Sequence, residues 1–195
     1  MPNIQLIDYH GSDELIAKIA RLSHGEKGSS TDEQLIRFLI KHEHMSVFEF
    51  AGATFRIKAP LFVARQWFRH RIASYLEKSL RYTKADERMY HSFDENRLPH
   101  ELRTIYENSI KQSFNTYNEL MNKGVPKEVA RSVLPMSTMT EFYVYMNLRS
   151  WFNFLKLRMD KHAQYEIRMY ANDIYEMLES LFPISMKEWK LKNGF

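Results

Sequence analysis

The chain has 195 residues, 44% of them hydrophobic and 14% aromatic. That is ample for a packed core and, on a soft prior of ~150 residues per domain, is read as a single domain over 1-195. Cysteine is absent, which excludes disulfides, thiolate metal ligands and thiol nucleophiles together. The net charge of +4 admits anionic ligands but is weaker than the basic stripe of a nucleic-acid binder, and there is no run of about 18 uncharged apolar residues to span a membrane.

The N-terminus, Met1-Pro-Asn-Ile-Gln-Leu-Ile-Asp, has no basic region followed by an apolar stretch, so a cytoplasmic location is expected. Ile4 to Asp8 reads as a short strand. Asp13 to Ser23 has helical spacing, with Leu15, Ile16, Ile19, Ala20 and Leu22 on one face. Gly25 to Ser30 reads as a loop. Thr31 with Gln34 forms a capping box, followed by a buried stripe of Leu35, Phe38, Leu39 and Ile40. Ala53 to Lys58 alternates as a half-buried strand. Pro60 ends that strand and occupies the first position of an apolar helix.

Lys84 to Arg97 is polar and reads as a long loop, a class that is commonly functional or mobile. Pro99 to Lys123 is a long amphipathic helix carrying Leu102, Ile105, Tyr106, Ile110, Phe114, Tyr117, Leu120 and Met121, and Gly124 stops it. Pro126 starts a short helix through Arg131. Thr138 to Asn147 is a second good strand. Leu148 to Leu181 is helical, as two helices meeting near Asp160. Pro183 breaks the pattern before a last short helix around Met186 to Leu191. This order predicts an α+β fold with a mostly antiparallel or mixed sheet flanked by long helices.

Several clusters carry possible chemistry. His42 and His44, with Glu49 after them, invite a metal reading. A spacing of two places them on opposite faces of a strand and on poorly facing positions of a helix, so no metal is expected. Arg149 and Asn153 share one helix face, as do Arg158 and His162. At about 100° per residue, Arg149 and Arg158 point to opposite sides of a straight helix. Either that helix breaks between them or they serve two sites. Arg131, among Val, Ala and Leu, needs an anionic partner if buried.

The densest signal is Arg65 to Tyr82, RQWFRHRIASYLEKSLRY. A solvated cationic helix end is the plain explanation. The preference for Arg over Lys, interleaved with hydroxyls and a carboxylate, instead suits a phosphorylated small molecule. Within it, RHRIASYLEKSLRY resembles the motif RHRxxSxNExSxRY of flavin-dependent thymidylate synthases, matching at Arg69, His70, Arg71, Ser74, Glu77, Ser79, Arg81 and Tyr82. It departs at Leu76, where the family has Asn. Leu80 stands where many relatives have Gly, and Phe50 where a His is common. EVARSVLP around Arg131 looks like the family's EVARxVLP, and the likeness extends over about Leu22 to Ile167.

The resemblance implies methylation of dUMP to dTMP, with 5,10-methylenetetrahydrofolate as carbon donor and NADPH as reductant through FAD, in a homotetramer with active sites between subunits. By the same likeness, FAD is contacted by Ser23, His44, Ser46, Glu49, Arg69, His70, Arg71, Glu77, Asn147, Arg149 and Asn153. The dUMP contacts are Gln66, Arg69, Glu77, Lys78, Ser79, Leu80, Arg81, Arg131 and Arg158, with Arg158 at the uracil as the catalytic group. A flavin- and folate-dependent pyrimidine nucleotide hydroxymethylase, or a non-catalytic flavin or nucleotide binder, is the alternative.

Overall fold

The computed structural model describes residues 2–24 and 30–195. The loop expected over Gly25 to Ser30 lies, apart from Ser30, outside the described residues. Four strands, β1 (Asn3–His10), β2 (Gly52–Pro60), β3 (Ser74–Glu77) and β4 (Met139–Asn147), form an antiparallel sheet in the order β1-β2-β4-β3. Eight helices accompany them among the described residues: α1 (Asp13–Arg21), α2 (Asp32–Lys41), α3 (Leu61–Trp67), α4 (His100–Asn122), α5 (Lys127–Ala130), α6 (Leu148–Arg158), α7 (Tyr165–Leu181) and α8 (Pro183–Asn193). The class is the α+β one expected. β3 was not expected, because Ser-Tyr-Leu-Glu is short and half polar and becomes a strand through a distant partner. No helix among the described residues is long and apolar enough to cross a membrane.

By internal packing the chain divides into two compact units. The first comprises Met1–Ile57, Phe68–Leu76 and Tyr143–Phe195; the second comprises Lys58–Trp67 and Glu77–Phe142.

In the first unit, Trp151 is fully buried, edge-on to Phe55 at 5.3 Å and to Phe154 at 5.6 Å, and its Nε1 donates to Ala53 O at 3.3 Å. Phe152 stacks on Trp189 of α8 at 5.7 Å. These rings seat α6 against β2, which matters because α6 carries five of the eleven residues that line the candidate cleft. The capping box at Thr31 and Gln34 is formed in both directions. The helix faces are shifted from the expected ones. α1 buries Ile16, Ala17 and Ala20 and leaves Leu15 and Leu22 exposed. α2 buries Ile36, Leu39 and Ile40, while Phe38 faces outward and lies 4.4 Å from the His42 ring. An apolar count alone does not separate two adjacent faces of a short helix.

Pro183 begins α8 rather than merely ending α7, and no side chain of its own segment caps it. The buried Asp13 does so from α1, accepting from Ile184 N at 2.7 Å, Ser185 N at 3.0 Å and Ser185 Oγ at 2.5 Å. A carboxylate facing a helix start in low dielectric is favoured by both hydrogen bonding and the dipole. Gly11, which leads into α1, has φ +83°, and a Cβ there would stand 2.7 Å from Ala51 Cβ. The turn therefore requires glycine.

The second unit has its own core of Ile110, Phe114, Tyr117 and Ala130. The first turns of α4 stay outside it, with Leu102 and Ile105 exposed. Gly124 follows α4 at φ +82°. The segment after β3 is irregular, as expected, yet it is tied down. His91 N donates to Ser137 O at 2.8 Å, Met139 N to Met89 O at 2.8 Å, and Tyr106 Oη to His91 O at 2.7 Å.

Candidate functional site

The first unit carries a cleft of about 660 Å³ lined by Glu49, Arg69, His70, Arg71, Ile72, Asn147, Arg149, Ser150, Asn153, Leu157 and Arg158. Its size falls within the ~300–1,000 Å³ range of small-molecule sites. Four guanidinium groups face one carboxylate, so the cleft is strongly electropositive.

Two junctions build it. At the first, β4 runs directly into α6. Asn147 caps that helix by accepting from Ser150 N at 2.9 Å, and Leu148 N donates to Ala51 O at 2.7 Å. The cap fixes the direction of α6 and so sends Arg149, Ser150, Asn153 and Leu157 to one side. At the second, α3 ends at Trp67, and the chain turns through Phe68–Ala73 into β3. Tyr75 closes that turn, donating from Oη to His70 O at 2.9 Å and packing edge-on to Phe68 at 5.0 Å. The cations therefore lie on the turn after the helix, not on its last helical residues as expected.

Glu49 accepts from Arg149 Nη1 at 2.5 Å across two exposed side chains. His70 is buried, at 8% exposure, with its ring 5.0 Å from Phe154. Arg158 Nε donates to His70 Nε2 at 3.0 Å. Burial, and then the charge of Arg158, lower the His70 pKa from the ordinary 6.5 to about 4. A ring that accepts at Nε2 is the neutral tautomer protonated at Nδ1, and the shift agrees with that. The Arg158 pKa is itself lowered, first by burial and then by Arg69. Two guanidiniums close enough to oppose each other's charge in a half-buried cleft favour an anion between them.

Arg149 and Arg158 line this one cleft although α6 is unbroken between them. Of the two expectations, the helix break does not occur. Arg158 is the last residue of α6, and its long side chain returns to His70 from the far face of the helix. Three lining residues were not expected: Ile72, Ser150 and Leu157. Ser150 and Leu157 lie three residues before and four after Asn153, so helical spacing from it could have found them. Ile72 is 77% exposed, and only its place inside the cationic motif marks it.

Other expected residues do not line the cleft. Ser23 lies in the short turn Leu22–His24 after α1 and is exposed. His44 and Ser46 are exposed at the start of the turn Met45–Phe50, and the His44 ring packs 5.8 Å from Phe38 and 6.3 Å from His42. Among the described residues no three His, Asp or Glu side chains gather as a metal set.

In the second unit, Gln66 Nε2 donates to Phe62 O on its own helix at 3.3 Å. Glu77 accepts from Thr140 Oγ1 at 2.7 Å, and Lys78 N donates to Glu141 O at 2.8 Å. Lys78 and Leu80 line a small hollow of about 50 Å³ with Lys58 and Lys84. Ser79 Oγ accepts from Arg81 N at 3.3 Å, and Arg81 Nε pairs with Glu128 at 3.2 Å. Arg131 is exposed at the end of α5, so the condition of burial that called for a partner does not hold.

Residues 5–184 match the family model described as thymidylate synthase complementing protein. The flavin-dependent thymidylate synthase of Thermosipho africanus (strain TCF52B) is 42% identical over 198 residues, covering 92% of this chain and 87% of that protein. That of Thermus thermophilus is 39% identical over 198 residues, covering 93% and 73%. Among solved structures, a UMP/dUMP methylase, PolB from Streptomyces cacaoi bound with 5-Br dUMP, superimposes with a TM-score of 0.92 at 27% identity, covering 98% of this chain and 95% of that one.

Proposed function

The chain belongs to the thymidylate synthase complementing protein family of flavin-dependent thymidylate synthases, and on that premise we propose that it methylates dUMP at C5 to give dTMP. The carbon comes from 5,10-methylenetetrahydrofolate and the reducing equivalents from NADPH through FAD. One observation supports this reading most: Arg69, Arg71, Arg149 and Arg158 converge on a single cleft against the lone carboxylate of Glu49. Such an excess of guanidinium suits the pyrophosphate of a dinucleotide and the anionic face of a nucleotide. The exposed Ile72 and Leu157 offer apolar contact to a planar ring, and Asn147 and Asn153 offer amides for its polar edge. The donor set therefore fits FAD.

Bound FAD supplies the hydride chemistry, and the chain supplies placement and charge. Arg69, Arg71, Arg149, Glu49, Asn147 and Asn153 hold the cofactor, with His70 in the same wall. Ser23, His44, Ser46 and Glu77 complete that set, and Gln66, Glu77, Lys78, Ser79, Leu80, Arg81 and Arg131 serve dUMP. In a homotetramer with sites shared between copies, these groups need not come from one chain. Ser79 and Arg81 take the phosphate, which requires Arg81 to exchange Glu128 for it. Arg158 lies along the pyrimidine edge. As C5 becomes nucleophilic, negative charge spreads from C5 onto O4 as an enolate, and a fixed guanidinium at the ring edge stabilises it. The chain contains no cysteine, so attack on C6 by a protein thiolate has no source here.

The test is incubation of the purified protein with dUMP, methylenetetrahydrofolate, FAD and NADPH, with the product identified by mass; dTMP is expected. A hydroxymethyl product moves the assignment to the hydroxymethylase alternative. Bound FAD with no product indicates a non-catalytic binder, and a protein that takes up no FAD ends the proposal. Offering UMP beside dUMP measures whether the ribose 2′-hydroxyl is tolerated.

A further inference from the structure

We infer that His70 is a positioning residue for Arg158: its buried imidazole accepts from the Arg158 Nε edge and so fixes the plane of that guanidinium in the cleft. The inference rests on the catalytic placement of Arg158 and adds a group that acts through it. Three contacts carry it. Arg158 Nε donates to His70 Nε2 at 3.0 Å. The ring is held at 5.0 Å by Phe154, one helical turn before Arg158 on α6. Tyr75 Oη donates to the His70 carbonyl at 2.9 Å and anchors the backbone from β3. A long side chain at a helix end has several rotamers to lose, and a buried acceptor on a fixed ring selects among them.

The bond engages the Nε donor. Recognition of the pyrimidine carbonyl oxygens, which accept, draws on the terminal donors Nη1 and Nη2. Tying the first therefore orients the second. The charged groups around the imidazole are Arg158 from α6 and Arg69 and Arg71 on its own turn, with the Tyr75 phenol on β3. The Glu49 carboxylate lines the same cleft, but burial and then the charge of Arg158 oppose protonation of the ring, and a neutral acceptor is the state that the contact requires.

A double-mutant cycle in the full chain tests this, with circular dichroism confirming the fold of each variant. His70→Phe keeps a ring against Phe154 and removes the acceptor. Its kcat for dTMP is expected to fall about 10- to 100-fold, with KM for dUMP changed less than ~3-fold. His70→Gln restores an acceptor and is expected to recover most of that loss. Arg158→Lys lacks Nε, so adding His70→Phe to it should cost less than ~2-fold more. An equal His70→Phe penalty in both backgrounds, or a Gln variant as slow as the Phe variant, overturns the inference. A second readout is independent of turnover. In histidine-labelled protein, the His70 Nε2 resonance, assigned by its absence in His70→Gln, should move when Arg158→Ala removes the donor. An unmoved resonance also overturns the inference, and it decides the point even if His70→Phe does not fold. Absence of any dTMP from the wild-type protein would instead sink the functional reading.

Discussion

Arg69 and Arg81 belong to one continuous motif and end in opposite circumstances. Arg69 shares its cleft with Arg71, Arg149 and Arg158 against a single Glu49. Arg81, in the second unit, has a carboxylate of its own at Glu128, with both side chains about half exposed. Like charges gathered in one cleft are costly without an anion, so the first arrangement is the mark of a site. The second is what an exposed cation does anyway, and an exposed pair of this kind is worth about 0–1 kcal/mol. Composition treats the two arginines alike; their surroundings separate a cation gathered with others in a cleft from one paired with a carboxylate.

The largest expected effect breaks that comparison at the cleft. Arg158→Ala should keep the fold and the flavin absorbance band and lower kcat about 10²- to 10³-fold, the range for removing a preorganised charge-stabilising donor. Near-normal dTMP formation by this variant, followed by mass, would remove Arg158 from its role and make the cleft cations equivalent to those of the second unit.

An intermediate effect concerns pH. The His70 pKa is lowered from 6.5 to about 4, so between those values the unfolded chain binds more protons there than the folded one. Stability supplied by the neutral ring is present above pH 6.5 and is lost as pH falls toward 4. The melting temperature should drop across that window more steeply for the wild type than for His70→Gln. Parallel curves would show that the ring titrates with an ordinary midpoint.

The smallest effect sharpens the other side. Glu128→Ala should change unfolding free energy by less than ~0.5 kcal/mol and lower KM for dUMP by at most ~5-fold, because it removes only an exposed competitor for Arg81. A large loss of thermal stability in denaturant or heat scans would mean that the pair supports α5 rather than waiting on a ligand.

Much of the fold was legible because its signals are local. The Thr31–Gln34 capping box, the alternation of β2 and β4, the stop at Gly124 and the break near Asp160 all act through neighbours in sequence. β3 was missed because Ser-Tyr-Leu-Glu has no local pattern and is a strand through pairing with a remote segment. The outward turn of Phe38 and Leu15 was missed because the choice between adjacent helix faces belongs to whatever packs on them. At the site, the cationic motif and the α6 residues Arg149 and Asn153 were readable from residue type and spacing. The union of Arg149 and Arg158 in one cleft was not, since helical angles describe where Cβ points and not how far an arginine reaches.

By itself, then, the sequence determined which chemistry is available: guanidiniums and amides in quantity, no thiol, and a motif dense enough to carry a resemblance. Only the tertiary structure decided which of those groups meet. It turned the His70 ring to Arg158 and gave Arg81 to Glu128, because proximity between distant residues follows from how β4, α6 and the turn after α3 pack, and burial then sets the charge state each group can hold.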